Sequence, residues 1–302
     1  MRTCPPAVEL QQAYRLHTLQ AARYERQIVR AIALLDSVGV EPLLAKGWAV
    51  ARFYPERGLR PYGDIDLWVR PEQHAAAVAV LTSPAGQNSQ VDLHEKFRHL
   101  DRSWDELYDR SRLVPLGEVN IRILGPEDHL HLLCTHMLYH GVSRPLWLCD
   151  VAAALEALPA DFDWKYCLSG NSRHSHWVTC AISLAHQLLG ARLDCAPAAW
   201  RVRHLPRWLP SSVLQQWGAE EHYMSTPSMA FCLRNPAQML KALCLRWPNP
   251  VQATVGVGGP FNQLPRFPFQ LAECLVRTAH FVARVPQRVR QHSRQPLDMD
   301  TP

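Results

Sequence analysis

The spacing of hydrophobic and polar positions divides the chain into two parts that meet near residue 125. In the first part, helical spacing over residues 7–38 predicts one long amphipathic helix, which Gly39 ends. Short apolar runs with helical segments between them predict four strands: "EPLLAKG", "DIDLWV", "VDLHEKF" and "EVNIRIL". Strands that alternate with helices in this way indicate a sheet packed against helices.

From Pro126 onward the helical period dominates. The predicted helices are "GPEDHLHLLCTHMLYHG", "WLCDVAAALEAL", "WVTCAISLAHQLLG", "MLKALCLRW" and "FQLAECLVRTAHFVARV". We therefore predict an α+β fold in which a small mixed β-sheet core packed with helices is followed by a mostly α-helical C-terminal half. The predicted domains are the core with its long N-terminal helix (1–125), a helical domain (126–285) and a basic, disordered tail (286–302).

Composition bears on whether the chain spans a membrane, where in the cell it is found and whether it binds nucleic acid. The 302 residues include 47% hydrophobic residues, yet no run approaches the roughly 18 apolar residues that a membrane helix needs. Nine cysteines without a C-x-x-C pair fit reduced thiols, and the N-terminus lacks a secretory pattern, so we expect a cytoplasmic protein. A net charge of +5 is mild for this length and does not favour nucleic acid as a partner.

Two aspartates interrupt the apolar strand "DIDLWV". Because side chains alternate along a strand, Asp64 and Asp66 point to one side while Ile65 and Leu67 point to the other. Two carboxylates about 7 Å apart repel each other, and a divalent cation removes the cost of burying them. Hard oxygen ligands of this kind suit Mg²⁺, with Mn²⁺ as an alternative, although D-x-D also occurs at exposed strand ends.

Neighbouring predicted strands supply compatible groups. Lys46 and Gly47 end the first strand, where the N–H groups of the following helix and the lysine charge suit a polyphosphate. On "VDLH", Asp92 and His94 share one face. Asp92 is therefore a candidate third carboxylate or general base, and His94 is a candidate either for orienting a carboxylate or for proton transfer.

The segments "KGWAVARFYPERGLRPYGDIDLWVRPE", "VDLH", "LGPEDHLHLLCTHMLYHG" and "WLCDV" resemble the uncharacterised nucleotidyltransferase family of the polymerase-β-like superfamily, over about residues 41–155. The resemblance implies that Asp64, Asp66 and Asp92 are catalytic metal ligands. It also implies that Lys46 and Gly47 lie beside the phosphates of a nucleoside triphosphate, the donor substrate. Arg60 would clamp phosphate or pin its own loop, and Gly63 would serve the turn into the strand.

Three hypotheses follow. The first is a Mg²⁺-dependent nucleotidyltransferase that moves an NMP group to an acceptor hydroxyl, on a small molecule, peptide or protein rather than RNA. The second is a non-catalytic nucleotide-binding or scaffold protein, because the serine that follows the first strand in better-known members is replaced here by Gly47-Trp48. The third is a metal-dependent phosphohydrolase built on His136 and His140, which have metal-ligand spacing, although histidines that line an interdomain face or cap against the sheet are the favoured interpretation.

Overall fold

The structure, a computed structural model, describes residues 5–87, 90–97, 100–194, 205–218 and 246–292. Backbone contacts divide the chain into two compact units. The first comprises Met1–Met137 and Arg144–His204, and the second comprises Leu138–Ser143 and Leu205–Pro302.

One mixed sheet lies in the described part of the first unit. Its strands are β1 (Leu43–Leu44), β2 (Ile65–Trp68), β3 (Val91–His94), β4 (Arg112–Leu116) and β5 (Val119–Ile123). The spatial order is β3-β2-β1-β5-β4. β1 pairs with β2 in antiparallel and with β5 in parallel orientation, β2 and β3 are parallel, and β4 and β5 form an antiparallel hairpin.

The helices alternate with these strands and then follow them. They are α1 (Pro5–Asp36), α2 (Gly47–Ala51), α3 (His74–Thr82), α4 (Trp104–Arg110), α5 (Pro126–Tyr139), α6 (Pro145–Glu156), α7 (Trp164–Cys167), α8 (Ser172–Leu189), α9 (Trp208–Trp217), α10 (Pro250–Gly256) and α11 (Phe267–His292). The predicted α+β class, a mixed sheet with helices followed by a helical part, is confirmed. The helix predicted over 7–38 forms as one continuous element.

Each face of the sheet is covered by its own core. One core joins Leu44, Ile65 and Leu67 of the strands to buried residues of α1 such as Ile32. The opposite core joins Leu43 and Trp68 to Leu107 of α4 and Leu132 of α5. Because side chains alternate along β2, Asp66 shares the face of Trp68, opposite α1.

The predicted strands form, but they are shorter than their apolar runs. β1 keeps two of the seven residues of "EPLLAKG", and Asp64 lies one residue before β2. β4, with which β5 forms its hairpin, has no counterpart among the predicted strands. Pro115, the fourth of its five residues, argues against a strand, yet β4 is an edge strand, where proline is tolerated.

The described part of the second unit consists of α9, α10, α11 and the turn around Val142. The Trp217 indole N–H donates to the Val142 carbonyl at 2.8 Å. Arg266 is buried with its guanidinium over the rings of Trp208 and Phe269. α11 confirms the last predicted helix and includes residues 286–292 of the segment predicted as a tail.

The remainder of that predicted tail, residues 293–302, and most of "MLKALCLRW" lie outside the described residues. Within the ranges that the structure describes, no helix combines the length and the hydrophobicity that crossing a membrane requires.

Candidate active site

Two carboxylates and an imidazole meet where β2 and β3 run side by side. The parallel register pairs Asp66 with Asp92 and Trp68 with His94, so all four side chains follow the same alternation. The Nε2 atom of His94 lies 3.0 Å from Asp66 Oδ1 and 3.3 Å from Asp92 Oδ2. Asp66 is buried, whereas the Asp92 side chain is exposed. One edge of the group is therefore open to solvent and the other is embedded in the sheet.

Aromatic rings pack beside the cluster of Asp66, Asp92 and His94. The Trp68 and His94 rings stack with their centroids 4.6 Å apart, and Phe97 stacks on the Trp68 ring at 4.7 Å. The Trp68 indole N–H donates to the Lys96 carbonyl at 3.3 Å. Trp68 is thus held by contacts at its edge and on its ring faces, and it fixes the plane of the His94 ring. Trp68 was not identified from the sequence, although its position two residues after Asp66 places it on the same face of β2.

Lys46 adds a positive charge to the cluster. Its Nζ lies 3.7 Å from Asp66 Oδ1 and 5.1 Å from the centre of the Trp68 ring. Its backbone has φ 61° and ψ −157°, a combination that is essentially restricted to glycine and costs about 1–3 kcal/mol in other residues. The chain therefore retains a strained lysine where a glycine would fit the backbone without strain.

Gly47 follows with φ 43° and begins α2. A Cβ at this position would lie 3.4 Å from the Asp64 carbonyl oxygen, so the Lys46-Gly47 turn passes directly over the entry to β2. α2 has only five residues, so its dipole is small, and the Lys46 ammonium adds a full positive charge beside the turn.

Asp64 and Gly63 lie in the segment that leads into β2. The Asp64 residue is solvent-accessible, but protein atoms surround part of its carboxyl group. This partial desolvation and the nearby Asp66 charge raise the pKa of the Asp64 carboxyl, and the Lys46 and Arg60 charges oppose that rise. The Gly63 carbonyl accepts a hydrogen bond from the Tyr24 hydroxyl at 2.7 Å, which ties this segment to α1.

Arg60 is buried in a bidentate ion pair with Asp150 of α6. Its Nε lies 3.1 Å from Asp150 Oδ1 and its Nη2 lies 2.8 Å from Asp150 Oδ2, while Nη1 donates to the Pro61 carbonyl at 3.2 Å. The Tyr54 hydroxyl also donates to Asp150, at 2.8 Å. These contacts hold the loop before β2 in place. They fit the second of the two roles predicted for Arg60, which is to fix its own loop. Its contact with donor phosphates stays a prediction, and Asp150 and Tyr54 were not identified from the sequence.

The donor atoms at β2 and β3 fit a divalent cation. Among the residues that the structure describes, one group of three or more possible ligands has all its donor atoms within 4.8 Å of one another, and it consists of Asp66, Asp92 and His94. Two carboxylate oxygens and one imidazole nitrogen are ligands that divalent metals accept. Asp64 is not a member of this group, and its role as a ligand stays a prediction.

The two histidines with metal-ligand spacing are His136 of α5 and His140, which lies one residue beyond the end of that helix. The His136 ring contacts the Trp147 ring edge-on at 5.3 Å, and His140 is exposed. Neither belongs to a described group of three metal-ligand residues. His129 of the same helix is buried against the Phe53 ring, and this burial, with the Arg52 and Arg60 charges, lowers the pKa of His129 to about 4. At neutral pH the His129 ring is therefore uncharged, and it packs in an aromatic contact.

Residues 2–190 match the family described as uncharacterised nucleotidyltransferase, and this range includes every strand of the sheet and all the residues of the cluster. No curated protein and no solved structure matches the chain. Because the family match covers more than half of the chain, the protein belongs to the uncharacterised nucleotidyltransferase family.

Proposed function

We propose that the protein is a metal-dependent enzyme that transfers an NMP group from a nucleoside triphosphate to a hydroxyl of a small molecule, a peptide or a protein. The observation that carries this proposal is the group of Asp66, Asp92 and His94 beside Lys46, because their donor atoms converge at the edge of the sheet. Family membership supports nucleotidyl transfer as the reaction class.

The residues of the cluster have complementary roles in this reaction. Asp66 and Asp92 hold the cation through their carboxylate oxygens, with Asp64 as the ligand that the family resemblance adds. A divalent ion, when bound, polarises the α-phosphate and stabilises the charge that develops during displacement of pyrophosphate. Lys46 gives the triphosphate a second positive charge, and its strained backbone keeps the ammonium near Asp66.

The supporting segments keep this geometry fixed. Arg60 and Asp150 anchor the loop that leads into Asp64, and the stacked rings of Trp68 and Phe97 support His94. Preorganised groups of this kind contribute to catalysis because they do not have to rearrange as charge develops. We include Gly47 in the donor site because its turn passes over the Asp64 carbonyl without a side chain.

The test is nucleotide-dependent stabilisation of the whole chain. Thermal unfolding is measured with each of the four NTPs, with and without Mg²⁺ or Mn²⁺, for the wild type, for Asp66→Asn and for Asp109→Asn, an exposed control on α4. A donor at about 100 times its Kd stabilises the folded state by about 2.7 kcal/mol. We expect a metal-dependent shift for the wild type and for Asp109→Asn, and its loss in Asp66→Asn.

Turnover is then measured as pyrophosphate release with the NTP that gives the largest shift, in the presence of candidate hydroxyl acceptors. Release by the wild type and not by Asp66→Asn supports the enzyme. Stabilisation without release for any acceptor favours the non-catalytic nucleotide-binding alternative. If none of the four NTPs shifts the wild type, the proposed donor site is wrong.

A further inference from the structure

His94 occupies the position from which a nitrogen atom faces both carboxylates of the cluster. We propose that His94 is itself a ligand of the cation and makes the site prefer a first-row transition ion, with Mn²⁺ as the probe, over Mg²⁺. The inference rests on the proposed function, because it concerns the same cation, but the metal preference is measured without turnover.

The distances place a single atom of His94 in this role. Nε2 lies 3.0 Å from Asp66 Oδ1 and 3.3 Å from Asp92 Oδ2, so the same nitrogen is the neighbour of both carboxylates. The parallel register of β2 and β3 produces this arrangement, since Asp92 is opposite Asp66 and His94 is two residues further along the same face. A cation that contacts both carboxylates is therefore also within reach of this nitrogen.

The ring is held in place by contacts that do not involve the carboxylates. Trp68 is 4% exposed and stacks on the His94 ring with an interplanar angle of 26°. The Phe97 ring in turn stacks on the Trp68 ring, with an interplanar angle of 11°. A ligand whose orientation is already fixed loses less conformational entropy when it binds. These contacts distinguish His94 from a mobile surface histidine that is near two aspartates by chance.

The chemistry of the donor atoms determines the preference. Mg²⁺ takes oxygen ligands in near-ideal octahedral geometry and usually retains several waters. Imidazole nitrogen suits transition metals, and carboxylate oxygen suits Mn²⁺ as well as Mg²⁺. The Asp66, Asp92 and His94 set therefore fits Mg²⁺ less well than a set of three carboxylates does, whereas Mn²⁺, a first-row transition ion, accepts the nitrogen ligand. The His94 nitrogen is therefore the atom that makes the site prefer Mn²⁺ over Mg²⁺.

The experiment measures the affinity of the full-length chain for free Mn²⁺ by electron paramagnetic resonance, with Mg²⁺ as a competitor. His94→Asp and His94→Asn both replace the nitrogen by oxygen, with and without added charge. His280→Asp is the matched control, because His280 is exposed on α11. Unfolding curves in the absence of metal identify any variant that fails to fold, and the other His94 variant then decides the result.

We expect the wild type to bind Mn²⁺ at least about tenfold more tightly than Mg²⁺, and both His94 variants to lose most of that ratio. His280→Asp should retain it. If His94 only orients the carboxylates by hydrogen bonding, its substitution lowers affinity for both ions alike and leaves the ratio unchanged, which overturns the inference. A wild type with equal affinity for the two ions also overturns it.

This result is separable from the proposed function. If the nucleotide-dependent stabilisation depends on Asp66 while the ratio of Mn²⁺ to Mg²⁺ affinity does not depend on His94, the inference fails and the proposed function stands. If the wild type binds neither ion, with or without an NTP, both fail together.

Discussion

At the scale of single residues, Lys46 has the least favourable backbone conformation near the site. With φ 61° and ψ −157°, it occupies a region where a Cβ costs about 1–3 kcal/mol. Its ammonium lies 3.7 Å from Asp66, a charge contact that glycine could not make. This contact and the backbone conformation therefore favour different residues at position 46.

A pair of substitutions separates the two effects. Lys46→Ala and Lys46→Gly both remove the ammonium, but only glycine also relieves the strain. After allowance for the greater chain entropy of glycine in the unfolded state, we expect Lys46→Gly to be more stable than Lys46→Ala by about 1 kcal/mol in urea unfolding. Both should bind the NTP donor more weakly than the wild type. Equal stability of the two variants would show that the turn at Lys46 relaxes without cost.

The pair of Arg60 and Asp150 is the residue-scale link between the loop before β2 and α6. Both side chains are at least nine-tenths buried, at 9% and 1% exposure. Removal of one member leaves the other as an unpaired buried charge, which typically costs about 3–5 kcal/mol. Tyr54 contributes one further hydrogen bond to the same carboxylate.

A double-mutant cycle tests this coupling. We expect Arg60→Ala and Asp150→Ala each to lower the unfolding free energy by about 3–5 kcal/mol, and the double variant to cost clearly less than the sum. Tyr54→Phe should cost about 1.5–3 kcal/mol, because a hydrogen bond to a charged group is lost while the ion pair remains. Additive effects of the two alanine substitutions would contradict the coupling.

Alternation along the strands allowed the cluster residues Asp66, Asp92 and His94 to be predicted from the sequence. What it did not provide was the register, because the pairing of Asp66 with Asp92 depends on how the chain crosses through α3 between two parallel strands. Asp150 could not be inferred by this route. It is 90 residues from Arg60, and no local pattern relates two such distant positions.

At the scale of elements, α5 carries two adjacent buried groups with opposite pKa shifts. Burial raises the pKa of the Asp128 carboxyl to about 6, although Arg102 and Arg110 oppose the rise. Burial lowers the pKa of the neighbouring His129 to about 4. The helix therefore contains a carboxylate that costs stability when it ionises and an imidazole that costs stability when the unfolded chain can protonate it.

The sign for Asp128 follows from proton uptake. Between about pH 4 and 6 the folded chain holds a proton on Asp128 that the unfolded chain has lost, so its contribution to stability falls as the pH rises through this interval. For His129 the unfolded chain holds the extra proton between about pH 4 and 6.5, so stability falls as the pH drops. The two contributions oppose each other between about pH 4 and 6.

We expect the unfolding free energy of Asp128→Asn, relative to that of the wild type, to rise by up to about 3 kcal/mol from pH 4 to pH 7, because only the wild type has to ionise a buried carboxyl over this interval. The variant should also lose stability more steeply on acidification than the wild type, because the His129 contribution is no longer offset. Urea unfolding from pH 4 to 7 provides the measurement, with the exposed Asp109→Asn as a control. A difference that is constant over this range would contradict the assignment.

The β4–β5 hairpin shows why one element escaped prediction. The hairpin has a two-residue turn, and Gly117 at φ 60° is its first residue. A two-residue turn that begins with glycine is a known sequence signal for a hairpin. Pro115 argues against a strand before that turn, since proline is not found in central strands. The sheet order, which places β4 at the edge, explains why the proline is tolerated there. Local spacing was sufficient for α1, α5, α6, α8 and α11, because a long helix repeats its pattern many times.

At the scale of the whole molecule, the family match and the cluster fall on the same part of the chain. Residues 2–190 include the sheet, the strained turn and the ion pair of Arg60 with Asp150. The sequence placed a change of architecture near residue 125, where the strands end. Backbone contacts group most of the following helices with the sheet, because α6 and α8 belong to the first unit. Hydrophobic spacing indicates what each segment forms but not which segments pack together, so the domain limits stay a prediction.

The proposed function also predicts which residues the NTP donor contacts when it binds. Hydrogen exchange of the full-length protein is measured with and without the NTP and divalent ion that stabilise it. We expect slower exchange of the amides in residues 43–51, 65–68 and 91–94, because a donor bound to the folded state raises the free energy of any opening that breaks its site. α8, which carries no proposed site residue, serves as the internal reference. Asp66→Asn should show no such protection under the same conditions. Protection that is confined to α8 and absent from the Lys46-Gly47 turn would place the donor away from the Asp66 cluster.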